Sequence, residues 1–88
     1  MTQKLLIIDD DAKLIDLLSE YFRENGFDIF AVMEGTRALE IIREHKPDLV
    51  ILDIMLPGKD GLDVLKDIRA KEMIPVIMLT ARGDDTDR

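Results

Sequence analysis

The stretch LLIIDDDAKLIDLL, residues 5–18, joins an apolar run to three adjacent aspartates and then to an amphipathic segment. The run Leu5–Ile8 has no polar residue, which is typical of a β-strand buried on both faces. Adjacent carboxylates repel each other, and the repulsion grows near a low-dielectric core. We therefore expect a positive charge, such as a bound cation, beside Asp9 and Asp10.

Length and composition limit what the chain can be. Its 88 residues predict one domain, spanning 1–88. The net charge of -7 argues against direct binding to nucleic acid or to an anionic membrane. The chain has no cysteine, which excludes thiol chemistry and favours a cytoplasmic location. The first apolar run stops at Asp9 and is too short for a signal peptide or a membrane span.

Short apolar runs alternate with amphipathic segments along the rest of the chain. The pattern is βαβαβαβ, which predicts an α/β fold with a parallel sheet covered on both faces. The predicted strands are Leu5–Ile8, Phe27–Val32, Leu49–Leu52 and Val76–Thr80. Helical spacing places one apolar face on the first helix, made of Leu14, Ile15, Leu18, Tyr21 and Phe22. A third helix is predicted to place Leu62, Leu65 and Ile68 inward.

Charged and hydroxyl side chains fall where predicted strands end. Asp9 and Asp10 follow the first strand, Asp53 follows the third, and Thr80 closes the fourth. Ligands of open α/β sheets bind outside the carboxyl ends of the strands. If the first and third strands are neighbours, three carboxylates converge on one pocket. Such a cluster suits Mg²⁺, and a carboxylate beside Mg²⁺ can act as a nucleophile on phosphorus.

Three stretches in this order resemble the receiver domains of two-component response regulators. They are LLIIDDDAKLIDLL (5–18), PDLVILDIMLPGKDGLDVL (47–65) and IPVIMLTARGDD (74–85). The sequences of these stretches are most similar to the subfamily in which the receiver precedes a winged-helix DNA-binding domain. The resemblance implies a flavodoxin-like, doubly wound sheet with strand order 2-1-3-4-5.

The resemblance also implies roles for individual residues. Asp53 would be the phosphoacceptor, and Thr80 would be the switch hydroxyl. Mg²⁺ would be held by Asp10 directly, by Asp9 partly through water, by Asp53, and by the backbone carbonyl of Met55. The donor would be a phosphohistidine on a sensor histidine kinase or a small acyl phosphate. Such a module catalyses only its own phosphoryl transfer and is not a turnover enzyme.

The resemblance also leads to expectations for the loop after Asp53 and for the end of the chain. The resemblance implies that Pro57, Gly58 and Gly61 shape this loop. We expect a receiver truncated after strand four, without the fifth strand, its lysine and the last helices, so that phosphorylation is impaired. Strand four would then be an exposed apolar edge, which predicts self-association.

Two other functions compete with this interpretation. The chain could be a self-associating interaction fragment whose acidic metal site is vestigial. It could also be a Mg²⁺-dependent phosphohydrolase with an aspartyl nucleophile. Such enzymes commonly place a second acid two residues after the nucleophile, and Met55 at that position argues against this class. Asp11 is most simply the N-terminal cap of the first helix.

Overall fold

Four strands and three helices alternate in the part of the chain that the computed structural model describes, residues 2–56 and 60–79. They are β1 (Gln3–Ile8), α1 (Ala12–Glu24), β2 (Phe27–Val32), α2 (Ala38–His45), β3 (Leu49–Asp53), α3 (Gly61–Lys71) and β4 (Val76–Leu79). A short 3-10 turn, Gly35–Arg37, leads into α2. The predicted alternation of strands and helices is therefore confirmed.

The strands form one parallel sheet in the order β2-β1-β3-β4. This order agrees with the first four strands of the order that the resemblance implies. The register between β1 and β3 pairs Leu5 with Leu49 and Ile8 with Leu52. Strands one and three are thus neighbours, as the predicted convergence of carboxylates requires.

Helix α1 has well-defined ends. The Asp11 side chain accepts hydrogen bonds from the backbone amides of Lys13 and Leu14, at 3.0 and 3.2 Å, so it is the predicted cap. After the helix, Gly26 takes a φ of 91°, a left-handed value that favours glycine. Tyr21, which helical spacing places on the apolar face of α1, has a largely exposed side chain. Tyr21 lies about 100° around the helix from the partly buried Phe22, at the margin of the apolar stripe.

Helix α3 is rotated relative to its predicted face. Asp60 caps it by accepting a hydrogen bond from the Leu62 amide, and Gly61, Val64 and Ile68 form the buried side. The predicted burial of Leu62 is therefore wrong, since its side chain is about half exposed. One residue along a helix is a rotation of about 100°, which takes Leu62 away from the face shared by Gly61 and Val64.

The two faces of the sheet are covered by different helices. On one face, alternate strand residues such as Leu6 and Leu52 pack in a core with Ile42 of α2 and Ile68 of α3. On the opposite face, where Leu5 is fully buried, α1 packs against β2. Helices on both faces make the sheet doubly wound, which confirms the predicted fold class.

Strand β4 lies at one edge of the described sheet. It pairs with β3 on one side, and among the described residues no strand pairs with its other edge. Ile77, in its middle, is half exposed. Among residues 2–56 and 60–79, no helix has both the length and the apolar character needed to cross a membrane.

Candidate metal centre

The pairing of β1 with β3 brings the predicted carboxylates together. Ile8 lies opposite Leu52, so Asp9 and Asp53 follow in neighbouring positions at the carboxyl end of the sheet. Asp9, Asp10 and Asp53 each offer a carboxylate oxygen, and these oxygens all lie within 4.8 Å of one another. The convergence expected from the sequence is therefore present.

Burial divides the three aspartates. Asp9 is 2% exposed and Asp53 is 7% exposed, whereas Asp10 is open to solvent. The backbone amide of Asp9 donates to the Val32 carbonyl at 3.1 Å, which continues the β1–β2 pairing beyond Ile8. Because of this bond, Asp9 continues the buried strand β1 by one residue. The site thus combines two buried carboxylates with one that solvent reaches.

The electrostatic environment of Asp9 is unfavourable to its charge. Burial raises the pKa of Asp9 above its ordinary value, and the nearby negative charges of Asp53, Asp10 and Asp11 raise it further. The backbone amide of Asp11 acts against this by donating to Asp9 Oδ1 at 2.9 Å. One backbone hydrogen bond does not offset the burial.

The donor set fits a hard divalent cation. Among the described residues, no lysine, arginine or histidine forms an ion pair with Asp9, Asp10 or Asp53. Carboxylate oxygens are the ligands that Mg²⁺ prefers, and Mg²⁺ usually takes one or two carboxylates along with water. A bound cation would relieve both the burial cost of Asp9 and the mutual repulsion of the cluster.

A local hydrogen bond orients Asp53. The Met55 backbone amide donates to Asp53 Oδ1 at 3.1 Å, across the bend that follows β3. The Ile54 amide donates to the Leu79 carbonyl at 3.3 Å, so this bend is also attached to the end of β4. The chain after Asp53 is therefore tied both to the carboxylate itself and to the neighbouring strand.

The remaining predicted residues divide into two groups. Met55 lies beside Asp53 through its amide, and the role of its carbonyl as a metal ligand stays a prediction. Thr80, Pro57 and Gly58 lie outside the described residues.

Sequence reasoning missed how closely Gly61 packs against the end of β3, because it treated this glycine only as part of a loop. Its place directly after the capping Asp60 was the available signal.

The sequence pattern of the response regulator receiver domain matches residues 5–88. The DNA-binding response regulator MtrA of Mycobacterium tuberculosis (strain ATCC 25618 / H37Rv) is 47% identical over 87 residues, covering 99% of this chain and 38% of the relative. MtrA of Mycobacterium leprae (strain TN) is also 47% identical, covering 99% of this chain and 39% of the relative. The chain thus spans well under half the length of these curated relatives.

Solved structures give the same result. The BeF3-activated N-terminal receiver domain of Klebsiella pneumoniae RstA is 38% identical with a TM-score of 0.89, covering 94% of this chain and 71% of that chain. A response regulator from Chloroflexus aurantiacus J-10-fl is 36% identical with a TM-score of 0.88, covering 96% and 71%. The chain therefore belongs to the response regulator receiver family. Receiver domains are phosphoacceptor modules that take phosphoryl groups from sensor histidine kinases and bind Mg²⁺ at an acidic site.

Proposed function

We propose that this chain accepts a phosphoryl group from a sensor histidine kinase on Asp53, with Mg²⁺ bound beside it. The observation that carries the proposal is the convergence of three carboxylate oxygens within 4.8 Å at the carboxyl ends of β1 and β3. The family supplies the reaction class, and this cluster supplies a nucleophile and a cation site in one place. The self-associating fragment with a vestigial site is the less favoured function.

Four groups would hold the metal ion. They are the carboxylates of Asp9, Asp10 and Asp53 and the backbone carbonyl of Met55. When bound, Mg²⁺ would offset the negative charge that accumulates when a phosphoryl group approaches three carboxylates. The buried position of Asp9 supports a resident cation, since an unpaired buried carboxylate is costly.

Asp53 is the nucleophile in the proposed transfer. One oxygen of its carboxylate attacks the phosphorus of the donor phosphohistidine, forming an O–P bond. The P–N bond breaks, its electron pair stays on the imidazole nitrogen, and that nitrogen takes a proton from solvent. The Met55 amide, which already donates to Asp53 Oδ1, holds the carboxylate in one orientation for attack. The Thr80 hydroxyl would donate to a phosphoryl oxygen.

The proposed transfer is self-directed and does not make the chain a turnover enzyme. A phosphohydrolase of the aspartyl type needs a second acid to protonate its leaving group, commonly two residues after the nucleophile. That position is Met55, whose side chain cannot give a proton. The acidic site therefore supports acceptance of a phosphoryl group better than repeated hydrolysis of phosphate esters.

Intact mass after incubation with Mg²⁺ and acetyl phosphate tests the phosphoacceptor. We expect the folded chain to gain one phosphoryl group, and the Asp53→Asn variant to gain none. Asp28→Asn is a matched control, because Asp28 is an exposed aspartate on β2 and lies outside the cluster. If the folded wild-type chain gains nothing, or if Asp53→Asn is labelled equally, the proposal fails.

The relatives suggest where this module acts. The two MtrA relatives are DNA-binding response regulators by name, so we place the chain as the receiver segment of such a regulator. The segment itself does not contact DNA in this proposal, because its net charge of -7 would be repelled by phosphates. The same acidic, cysteine-free composition supports a cytoplasmic location.

Self-association through β4 is a second, separate proposal. Ile77 is half exposed in the middle of a strand that pairs on one side among the described residues. An apolar strand edge pairs readily with another chain. We expect sedimentation equilibrium to show concentration-dependent oligomers that Ile77→Lys weakens. Met73→Lys, at an almost fully exposed position outside β4, should leave them unchanged. A chain that is monomeric at every concentration would contradict this proposal.

A further inference from the structure

Gly61 lies in unusually close contact with the backbone of the phosphoacceptor residue. It is the first residue of α3 and is buried. A Cβ atom added to Gly61 would overlap the carbonyl oxygen of Asp53, and would lie 2.6 and 2.8 Å from the Cα and carbonyl oxygen of Ile54. All three atoms belong to backbone, so no flexible side chain can move aside. Any larger residue must shift either α3 or the end of β3.

The conformation of Gly61 does not by itself require glycine. Among the described glycines, the left-handed φ belongs to Gly26, and Gly61 lies outside that region. An alanine at position 61 could therefore adopt the same dihedral angles. What glycine provides there is the absence of a Cβ atom, which lets the start of α3 approach the end of β3.

Hydrogen bonds connect this contact to the Asp53 carboxylate. The Gly61 amide donates to the Ile54 carbonyl at 3.0 Å, and the neighbouring Met55 amide donates to Asp53 Oδ1 at 3.1 Å. The Ile54 amide is in turn held by the Leu79 carbonyl. The bend after Asp53 is thus fixed between α3 and β4. A shift of that bend would move the amide that orients the carboxylate.

We propose that Gly61 is a positioning residue for the Asp53 carboxylate, an inference that rests on the proposed phosphoacceptor function. Because Asp53 would act both as a metal ligand and as a nucleophile, the placement of its oxygens matters for both. Small displacements of reacting groups reduce rates strongly. A role limited to helix packing would instead affect stability alone, through the neighbouring core residues Val64 and Ile68.

Two glycine variants separate positioning from stability. Gly61→Ala adds a Cβ against the Asp53 backbone, whereas Gly26→Ala adds one at a strained left-handed position with nothing within 4 Å. Both should unfold at a lower temperature. Only Gly61→Ala should lower the Mg²⁺ affinity, measured by calorimetry, and the acetyl phosphate rate at saturating Mg²⁺, each by about tenfold or more. Wild-type affinity and rate in folded Gly61→Ala would overturn the inference.

A milder pair of variants decides the question if Gly61→Ala does not fold. Asp60→Ala removes the side chain that accepts from the Leu62 amide at 3.0 Å, which loosens the first turn of α3. Asp60→Ser removes the charge but keeps a capping oxygen. We expect Asp60→Ala to lower the rate and the Mg²⁺ affinity, and Asp60→Ser to restore both. Equal values in the two variants would count against positioning through α3.

The two proposals fail in different ways. If the folded wild-type chain accepts no phosphoryl group, the phosphoacceptor function is wrong, whatever the glycine variants do. The Mg²⁺ affinity still tests the positioning role of Gly61 in that case, because metal binding requires only the placement of the carboxylate. If the wild-type chain is phosphorylated and Gly61→Ala matches it in rate and affinity, the function stands and the role of Gly61 falls.

Discussion

Strands β1 and β4 contain similar apolar runs, LLII and VIML, but their environments differ. All four residues of the first run are fully buried. In the second run, Ile77 is half exposed and its neighbours are partly covered. The cause is position: β1 lies between β2 and β3, while β4 has one partner strand among the described residues. An apolar run therefore indicates a strand that can be buried on both faces, and the sheet order decides how far it is buried.

One row of isoleucines shows this gradient directly. Ile7, Ile51 and Ile77 lie in register across β1, β3 and β4. Their exposed fractions are 0%, 5% and 51%. They share a residue type and a face of the sheet, so differences among their variants report position alone.

The largest effect is expected from Ile7→Ala. Truncation of a fully buried isoleucine leaves a cavity and should lower the free energy of unfolding by about 2–5 kcal/mol. Urea denaturation measures this change, and the slope of the transition should stay constant. Ile51→Ala should cost nearly as much. Equal losses in the free energy of unfolding for Ile7→Ala and Ile77→Ala would contradict the expected difference between the central and outer strands.

Mg²⁺ should stabilise the chain through the carboxyl end of β1. Binding to the folded state alone contributes about 2.7 kcal/mol at a free concentration 100 times Kd. Thermal unfolding with and without Mg²⁺ measures the gain as a rise in Tm. Asp9→Asn should reduce the gain strongly, and Asp28→Asn should preserve it. A gain that is identical in all three proteins would place the ion elsewhere.

The raised pKa of Asp9 predicts a distinct pH dependence without metal. A carboxyl group whose pKa is higher in the folded state binds its proton more tightly there than in the unfolded chain. Its contribution to stability is therefore fully present below the unfolded pKa, near 3.8, and is lost as pH rises through the folded pKa.

The pH prediction is measured as a difference between two proteins. With a metal chelator present, Tm of the wild-type chain minus Tm of Asp9→Asn should fall as pH rises from below 3.8 toward neutrality. The comparison removes the titration of carboxyl groups far from the acidic cluster, which both proteins share. A difference that stays constant, or that increases with pH, would contradict the burial of a charged Asp9 at the end of β1.

The smallest effect is expected from Ile77→Ala. A side chain that is already half exposed gains little from folding, so its truncation should cost less than about 1 kcal/mol. Urea denaturation at a concentration where the chain is monomeric provides the measurement. A loss of stability as large as that of Ile51→Ala would show that the Ile77 side chain is buried in solution, although it is half exposed in the structure.

Sequence reasoning predicted what depends on local pattern and strand ends. The four strands and the Asp11 cap followed from apolar runs and helix-end chemistry, and the meeting of Asp9 with Asp53 followed once the first and third strands were taken as neighbours. The strand order came from the resemblance, because the alternation of elements allows several orders. Tyr21 and Leu62 were misplaced because helical spacing alone does not fix the edge of a buried stripe. The contact between Gly61 and Asp53 was missed because it depends on how two elements pack.

The pairing of β1 with β3 also determines when the acidic cluster forms. Lys4 and Asp48, 44 residues apart in the chain, are joined by a hydrogen bond from the Lys4 amide to Asp48 Oδ2 at 2.8 Å. Such non-local pairings carry the cost of loop closure and form more slowly than a helix like α1. Asp9 and Asp53 are brought together by this same pairing. During refolding, the capacity to bind a divalent ion should therefore lag behind the first helical signal and report the docking of β3.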